Sequence, residues 1–196
     1  MLVKKKIIYA LCGVALFMTA CKNDKKTQDV EVEESVTVDQ QEIAPEVKRV
    51  EMILESRSGS KATGKVVFIE DNGMVKMTAK LVGLDPGTHA IHIHEKADCS
   101  SEDGTSTGGH WNPTFEPHGK WGDEKGFHRG DIGNMVADEN GEATISLKTD
   151  LWCLGCDDEQ KNILGKAIIV HQGTDDFVSQ PSGAAGARIS CGGIIK

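Results

Sequence analysis

Aromatic side chains are scarce in this chain, with one Tyr, five Phe and three Trp among 196 residues. Set beside 22 glycines, that scarcity argues against a bundle of long helices and favours a turn-rich, all-β protein. Basic charge is also in deficit, with 22 Lys and Arg against 30 Asp and Glu and a formal charge of -8. A phosphate backbone calls for a basic stripe, and its absence leaves no nucleic acid among the expected partners. The acidity otherwise indicates solubility. No apolar run reaches the roughly 20 residues of a permanent membrane helix. The length suits one domain once a leader and a linker are set aside.

The strongest apolar run, Ile7 to Met18, follows Lys4, Lys5 and Lys6 and precedes the small residues Thr19 and Ala20. That is an export signal. The ending Thr19-Ala20-Cys21 resembles a bacterial lipoprotein signal, which implies cleavage after residue 20 and lipidation of Cys21. The protein would then be tethered by a lipid to a membrane of the cell envelope, facing the periplasm or the exterior. The alternative is an ordinary secretory peptide with an incidental Cys, and in either case the domain leaves the cytoplasm. From Thr27 to Val47 the chain carries Asp29, Glu31, Glu33, Glu34, Asp39, Glu42 and Glu46 with no Lys or Arg. Such a segment repels itself and buries little, so residues 21–46 are expected to be a disordered tether and residues 47–196 the folded domain.

Beyond Arg49 the dominant period is two. Val75, Met77, Ala79 and Leu81 alternate with Lys76, Thr78 and Lys80, and Ala143, Ile145 and Leu147 repeat the pattern, as in half-buried strands. Turn signals at Asp71-Asn72-Gly73, Asp85-Pro86-Gly87 and Asp138-Glu139-Asn140-Gly141 separate them. Many short strands at this spacing predict a sandwich or barrel. Two stretches, Lys96 to Gly130 and Thr149 to Leu164, are too long to be plain connections, and long loops in compact domains usually have a function.

Histidine is absent from the first 88 residues, and all seven (His89, His92, His94, His110, His118, His128 and His171) lie in the second half of the presumed domain. In His92-Ile93-His94 the strand period puts both imidazoles on one face, where one ion can take both. His89 shares the parity of Ile91 and Ile93, which predicts a hydrogen-bonded structural residue on the core face. His128 and Asp131 offer a nitrogen and a carboxylate three positions apart, and with His110 and His118 they would form the N3O set of a closed structural zinc site. Imidazoles around His92, His94 and His171 suit tetragonal copper. Spacing alone leaves open whether these residues build one site or two.

The ordered motifs Gly87-Thr88-His89-Ala90-Ile91-His92-Ile93-His94-Glu95, Gly109-His110-Trp111-Asn112-Pro113, His118-Gly119, His128-Arg129-Gly130-Asp131-Ile132-Gly133-Asn134, Val170-His171 and Gly186-Ala187-Arg188-Ile189-Ser190-Cys191-Gly192 together resemble the signature set of copper/zinc superoxide dismutases. The resemblance runs from about Val47 to the C-terminus. It implies an eight-stranded antiparallel Greek-key β-sandwich or barrel with two long functional loops. It implies copper on His92, His94, His110 and His171, and zinc on His110, His118, His128 and Asp131, with His110 shared. Asp175 resembles a carboxylate that hydrogen-bonds a ligand imidazole from each site. Arg188 resembles the arginine that attracts the anionic substrate, superoxide. Copper would cycle between two oxidation states to give dioxygen and hydrogen peroxide, with His110 carrying a proton to the forming peroxide. The segment from Gln172 to Ala187 has no Lys or Arg and resembles a shortened guiding loop.

The resemblance further implies a disulfide between Cys99 and Cys191, which an exported domain permits. Cys153 and Cys156 are not required by the family; they are expected to form a local disulfide or to remain idle thiols. Cys12 lies inside the leader. A metal buffer that keeps the fold without turnover is the competing reading, but such a protein could dispense with a copper ligand or Arg188, and this sequence keeps them all. The sequence leaves both a monomer and a homodimer open.

Overall fold

The computed structural model describes residues 46–196. The expected leader 1–20 with Cys12, the expected lipidation site Cys21 and the expected acidic tether up to residue 45 lie outside the described residues. Eight strands occur in chain order: β1 Lys48–Ser56, β2 Thr63–Asp71, β3 Met74–Val82, β4 Gly87–His94, β5 Gly133–Ala137, β6 Ala143–Thr149, β7 Ala167–His171 and β8 Arg188–Gly193. All neighbours pair antiparallel in the order β5-β4-β7-β8-β1-β2-β3-β6, and the outer strands β5 and β6 approach each other to nearly close a barrel. The all-β, eight-stranded expectation is met.

Strand β1 turns the sheet. Its residues Lys48–Leu54 pair with β2, whereas Glu55 and Ser56 pair with β8, so one strand hands the sheet from one half to the other. Val50, Met52 and Leu54 of β1 are buried with Val66 and Phe68 of β2 and Val75, Met77, Ala79 and Leu81 of β3, while Lys76 and Lys80 stay exposed. The alternation read from the sequence thus marks the inner face of this half. Asn72 and Gly73 take φ of 50° and 73°, the left-handed pair that a two-residue hairpin turn demands.

Strand β4 departs from half-burial. Ile91 and Ile93 enter the core as expected, yet His92 and His94 on the opposite face are buried as well. The cover comes from the connections that bring His110, His118, His128 and Asp175 over that face. Those connections are residues 95–132 and 172–187; the third long connection, 150–166, packs Trp152 against Phe68 and Trp121. A disulfide joins Cys99 to Cys191 across 92 residues and ties the first connection to β8. Cys153 and Cys156 form a second, local disulfide.

Candidate metal centre

Strand β4 supplies His92 and His94, and β7 ends on His171, so three imidazoles start from adjacent strands of one sheet. His110 joins them through an isolated antiparallel bridge with His94 that docks the long connection onto the end of β4. The ring centroids of His92 and His110 are 4.0 Å apart, and those of His92 and His171 are 4.9 Å apart. A second group, His118, His128 and Asp131, is gathered around the other edge of His110. In each set, His92, His94, His110 and His171 or His110, His118, His128 and Asp131, one potential ligand atom per residue lies within 4.8 Å of all the others. Every member of both sets is buried.

Hydrogen bonds to the outer nitrogens decide which lone pairs point inward. His94 Nδ1–H donates to the Gly108 carbonyl at 3.0 Å and His171 Nδ1–H donates to the Gly186 carbonyl at 3.2 Å, leaving Nε2 of each unprotonated. His92 and His118 instead donate from Nε2 to the two oxygens of Asp175, each at 2.8 Å. The inward atoms are therefore His92 Nδ1, His94 Nε2, His110 Nε2 and His171 Nε2 on one side, with His118 Nδ1 and His128 Nδ1 on the other, and all six are buried without a hydrogen-bond partner. Buried polar atoms are almost always satisfied, so six orphaned ring nitrogens aimed into two small spaces are the mark of a cation-binding frame. Imidazole with a fixed outer N–H is also the usual arrangement of a metal-ligating histidine.

Asp131 sits at the meeting point of the second set. Its oxygens lie 2.9 Å from His110 Nδ1, 3.0 Å from His118 Nδ1 and 3.2 Å from His128 Nδ1. Oδ2 also accepts the backbone N–H groups of Gly119 and His128 at 3.1 and 2.8 Å, which hold the carboxylate in place. Burial works to raise the Asp131 pKa, but the close approach of His110, His118 and His128 outweighs that and holds it far below the usual carboxylate range. Asp131 thus carries a full negative charge toward His110, His118 and His128. This N3O donor set fits zinc, and the all-imidazole set fits copper.

Burial lowers the pKa of His110 to about 4 and of His171 to about 3, so both rings are neutral and able to ligate at neutral pH. Burial likewise pushes His94 far below the usual imidazole range. At His118 burial is opposed and overcome by Asp131 and Asp175, which raise it to about 9 in the metal-free protein. Arg188 opens β8 and pairs in register with His171 of β7, which places it beside the first set. Its Nη1–H is anchored at 2.9 Å on both the Gly104 carbonyl and the Thr107 hydroxyl. His110 and His171 keep 7% and 4% exposure as whole residues, while their inward Nε2 atoms are buried.

His89 occupies the core face of β4, its ring hydrogen-bonded between the His171 carbonyl at 3.0 Å and the Asp85 carbonyl at 2.8 Å, so neither nitrogen is left for an ion. Three supporting residues had no assigned role in the sequence. Asn134 exchanges hydrogen bonds with the backbone of Asp175, and Gln180 does the same with the backbone of His118. Thr107 anchors Arg188. Their partners lie 41 to 81 residues away in the chain, a separation that no local pattern reveals.

Fold and site together define a β-barrel with two adjoining histidine-rich clusters able to hold metal. The profile of the copper/zinc superoxide dismutase (SODC) family matches residues 62–194, and the chain belongs to that family of enzymes, which act on superoxide with copper and zinc as cofactors. Cu-Zn superoxide dismutase 2 of Mesembryanthemum crystallinum is 38% identical over 137 residues, covering 66% of this chain and 84% of the relative. Cu-Zn superoxide dismutase 2 of Aquifex aeolicus is 38% identical over 138 residues, covering 67% of this chain and 78% of the relative. Among solved structures, a double mutant of a SOD-like protein from Bacillus subtilis superposes with a TM-score of 0.65 at 33% identity, covering 74% of this chain and 97% of that one. Among the described residues no helix is long and apolar enough to cross a membrane.

Proposed function

We propose that this protein disproportionates superoxide in the cell envelope, with copper held by His92, His94, His110 and His171 and zinc held by His110, His118, His128 and Asp131. The observation that supports the reading is the pair of clusters that share His110 and converge six orphaned ring nitrogens. Copper supplies one-electron redox chemistry in both directions, and zinc, which has none, supplies charge and a fixed frame. Two superoxide anions and two protons give one dioxygen and one hydrogen peroxide.

The work left to the chain is electrostatic and protonic. Arg188, with one arm fixed by Gly104 and Thr107, offers its remaining N–H groups to an anion that approaches the first cluster. His110 is the one ring that belongs to both clusters, and its Nε2 is the atom that would hold and give up a proton there. In the metal-free protein Asp131, hydrogen-bonded at Nδ1, keeps that ring from rotating, and zinc held by both residues would take over that role. Asp175 fixes the tautomers of His92 and His118 together, so both clusters are aligned by one carboxylate. The acidic protein attracts its anionic substrate only locally, through Arg188 and the bound ions.

The leader and Cys21 support export and lipid anchoring in the envelope. Intact mass analysis of the mature protein tests this: a chain that begins at lipid-modified Cys21 is expected, and a different, unmodified N-terminus overturns it. Activity is tested by loading the purified chain with both metals and measuring superoxide consumption in wild type, His171→Ala and Arg188→Ala. His171→Ala abolishes turnover, while Arg188→Ala slows it and weakens its salt dependence. A wild-type protein that binds copper yet consumes no superoxide is a metal buffer, and the proposal fails.

A further inference from the structure

The connection 150–166 contributes no ligand, yet it reaches the second cluster. Trp152 is buried, and its indole Nε1–H donates to the Arg129 carbonyl at 2.8 Å. Arg129 lies inside the tight turn that carries His128 and Asp131, closed by the bond from Asp131 N–H to the His128 carbonyl at 3.0 Å. The same indole packs edge-on against Trp121, three positions after His118, with ring centroids 5.3 Å apart, and against Phe68 of β2 at 6.3 Å. Trp152 therefore touches both arms of the connection that carries His118, His128 and Asp131, and braces them on the barrel.

Trp152 is itself fixed by the turn on its C-terminal side. Cys153 and Cys156 close a disulfide around Leu154 and Gly155. Cys153 is tied by its backbone to Lys161 and Ile163, at 2.8 and 3.1 Å, and Leu154 N–H donates to Glu70 Oε2 of β2 at 2.7 Å. A buried indole N–H without an acceptor is costly, so Trp152 and the His128–Asp131 turn hold each other in register.

We infer that Trp152 is a positioning residue for the zinc ligands His128, Asp131 and His118, and that the Cys153–Cys156 bridge is the clamp that holds it. The inference rests on the proposal that this cluster takes zinc. Outer partners that orient metal ligands typically change affinity about 10- to 100-fold when lost.

The test is zinc affinity of the purified copper-free protein, measured by competition with a chromogenic chelator alongside the thermal midpoint. Trp152→Phe keeps an aromatic ring but removes the N–H donor, and it is expected to weaken zinc binding by about tenfold. Cys153→Ser/Cys156→Ser is expected to weaken it in the same direction. Val66→Ala, a core truncation in β2, lowers the midpoint and leaves zinc affinity unchanged, which separates positioning from general destabilisation. A folded Trp152→Phe protein with wild-type zinc affinity overturns the inference. Unchanged affinity in the double Ser variant overturns the role of the clamp. A wild-type protein that takes up no zinc overturns the ligand assignment, and this inference with it.

Discussion

Asp175 accepts an N–H group from each of two clusters, which makes it the residue on which both geometries depend. Burial raises its pKa, but bonds from His118, His92 and the Phe177 N–H prevail and hold it well below the usual carboxylate range. Asp175→Ala frees both rings to rotate, so it is expected to weaken copper and zinc together, each by about 10- to 100-fold in a chelator competition. Loss at one metal only would show that the carboxylate does not couple the clusters. Gly183 guards the same spot: its φ is +65°, and a Cβ there would run into Asp175 Oδ1 and lie 2.7 Å from His118 Nε2. Gly183→Ala is expected to copy the Asp175 defect, again read as lost affinity for both metals.

The imidazoles also set a pH dependence for the metal-free protein. His110 and His171 fold with values of about 4 and about 3, below the ordinary 6.5, so between those limits the unfolded chain binds more protons. Their contribution to stability is complete above about 6.5 and falls as the pH drops toward 3. His118, raised to about 9, contributes fully below 6.5 and loses that contribution as the pH climbs through about 9. Thermal midpoints of the apoprotein should therefore form a dome with its top near pH 6.5. A flat profile from pH 4 to 9 would contradict these shifts.

Among the elements, the Cys99–Cys191 disulfide pins the connection that carries Arg188's anchors, Gly104 and Thr107. Arg57 adds to the attachment by donating to the Cys99 carbonyl from both Nε and Nη2. Closing a loop of this size is worth about 4 to 5 kcal/mol in the chain-entropy model. Cys99→Ala/Cys191→Ala should lower the thermal midpoint by many degrees and slow turnover through a loosened Arg188. A variant that keeps the wild-type midpoint would refute the first part.

The legibility of each element depends on where its partners lie. Strand β3 could be read outright, because Val75, Met77, Ala79 and Leu81 face the core and the lysines between them face water. The parity of β4 put His89 on the face opposite His92 and His94, where its ring is hydrogen-bonded, but parity says nothing of what covers the imidazole face. Burial of that face depends on connections whose residues return from far along the chain, a tertiary effect with no local period. Single spacings left the partition of seven histidines open, and only the resemblance carried by the ordered motif set implied one. The Cys153–Cys156 pair could be read as a local bridge or as idle thiols, and the contact from Trp152 to Arg129 has no sequence signal at all.

At the scale of the whole molecule, eight strands form a rigid frame from which β4 and β7 project three imidazoles, and the long connections complete and cover the centre. Function is thus divided between a barrel that sets positions and connections that set chemistry. The central claim is that two different ions occupy adjoining clusters and share His110. Anomalous diffraction from crystals of the fully loaded protein, collected at the copper and zinc absorption edges, tests it most directly. The account predicts copper among His92, His94, His110 and His171, zinc among His110, His118, His128 and Asp131, and density for His110 reaching both. A single ion, or two ions with His110 bound to only one, would contradict it.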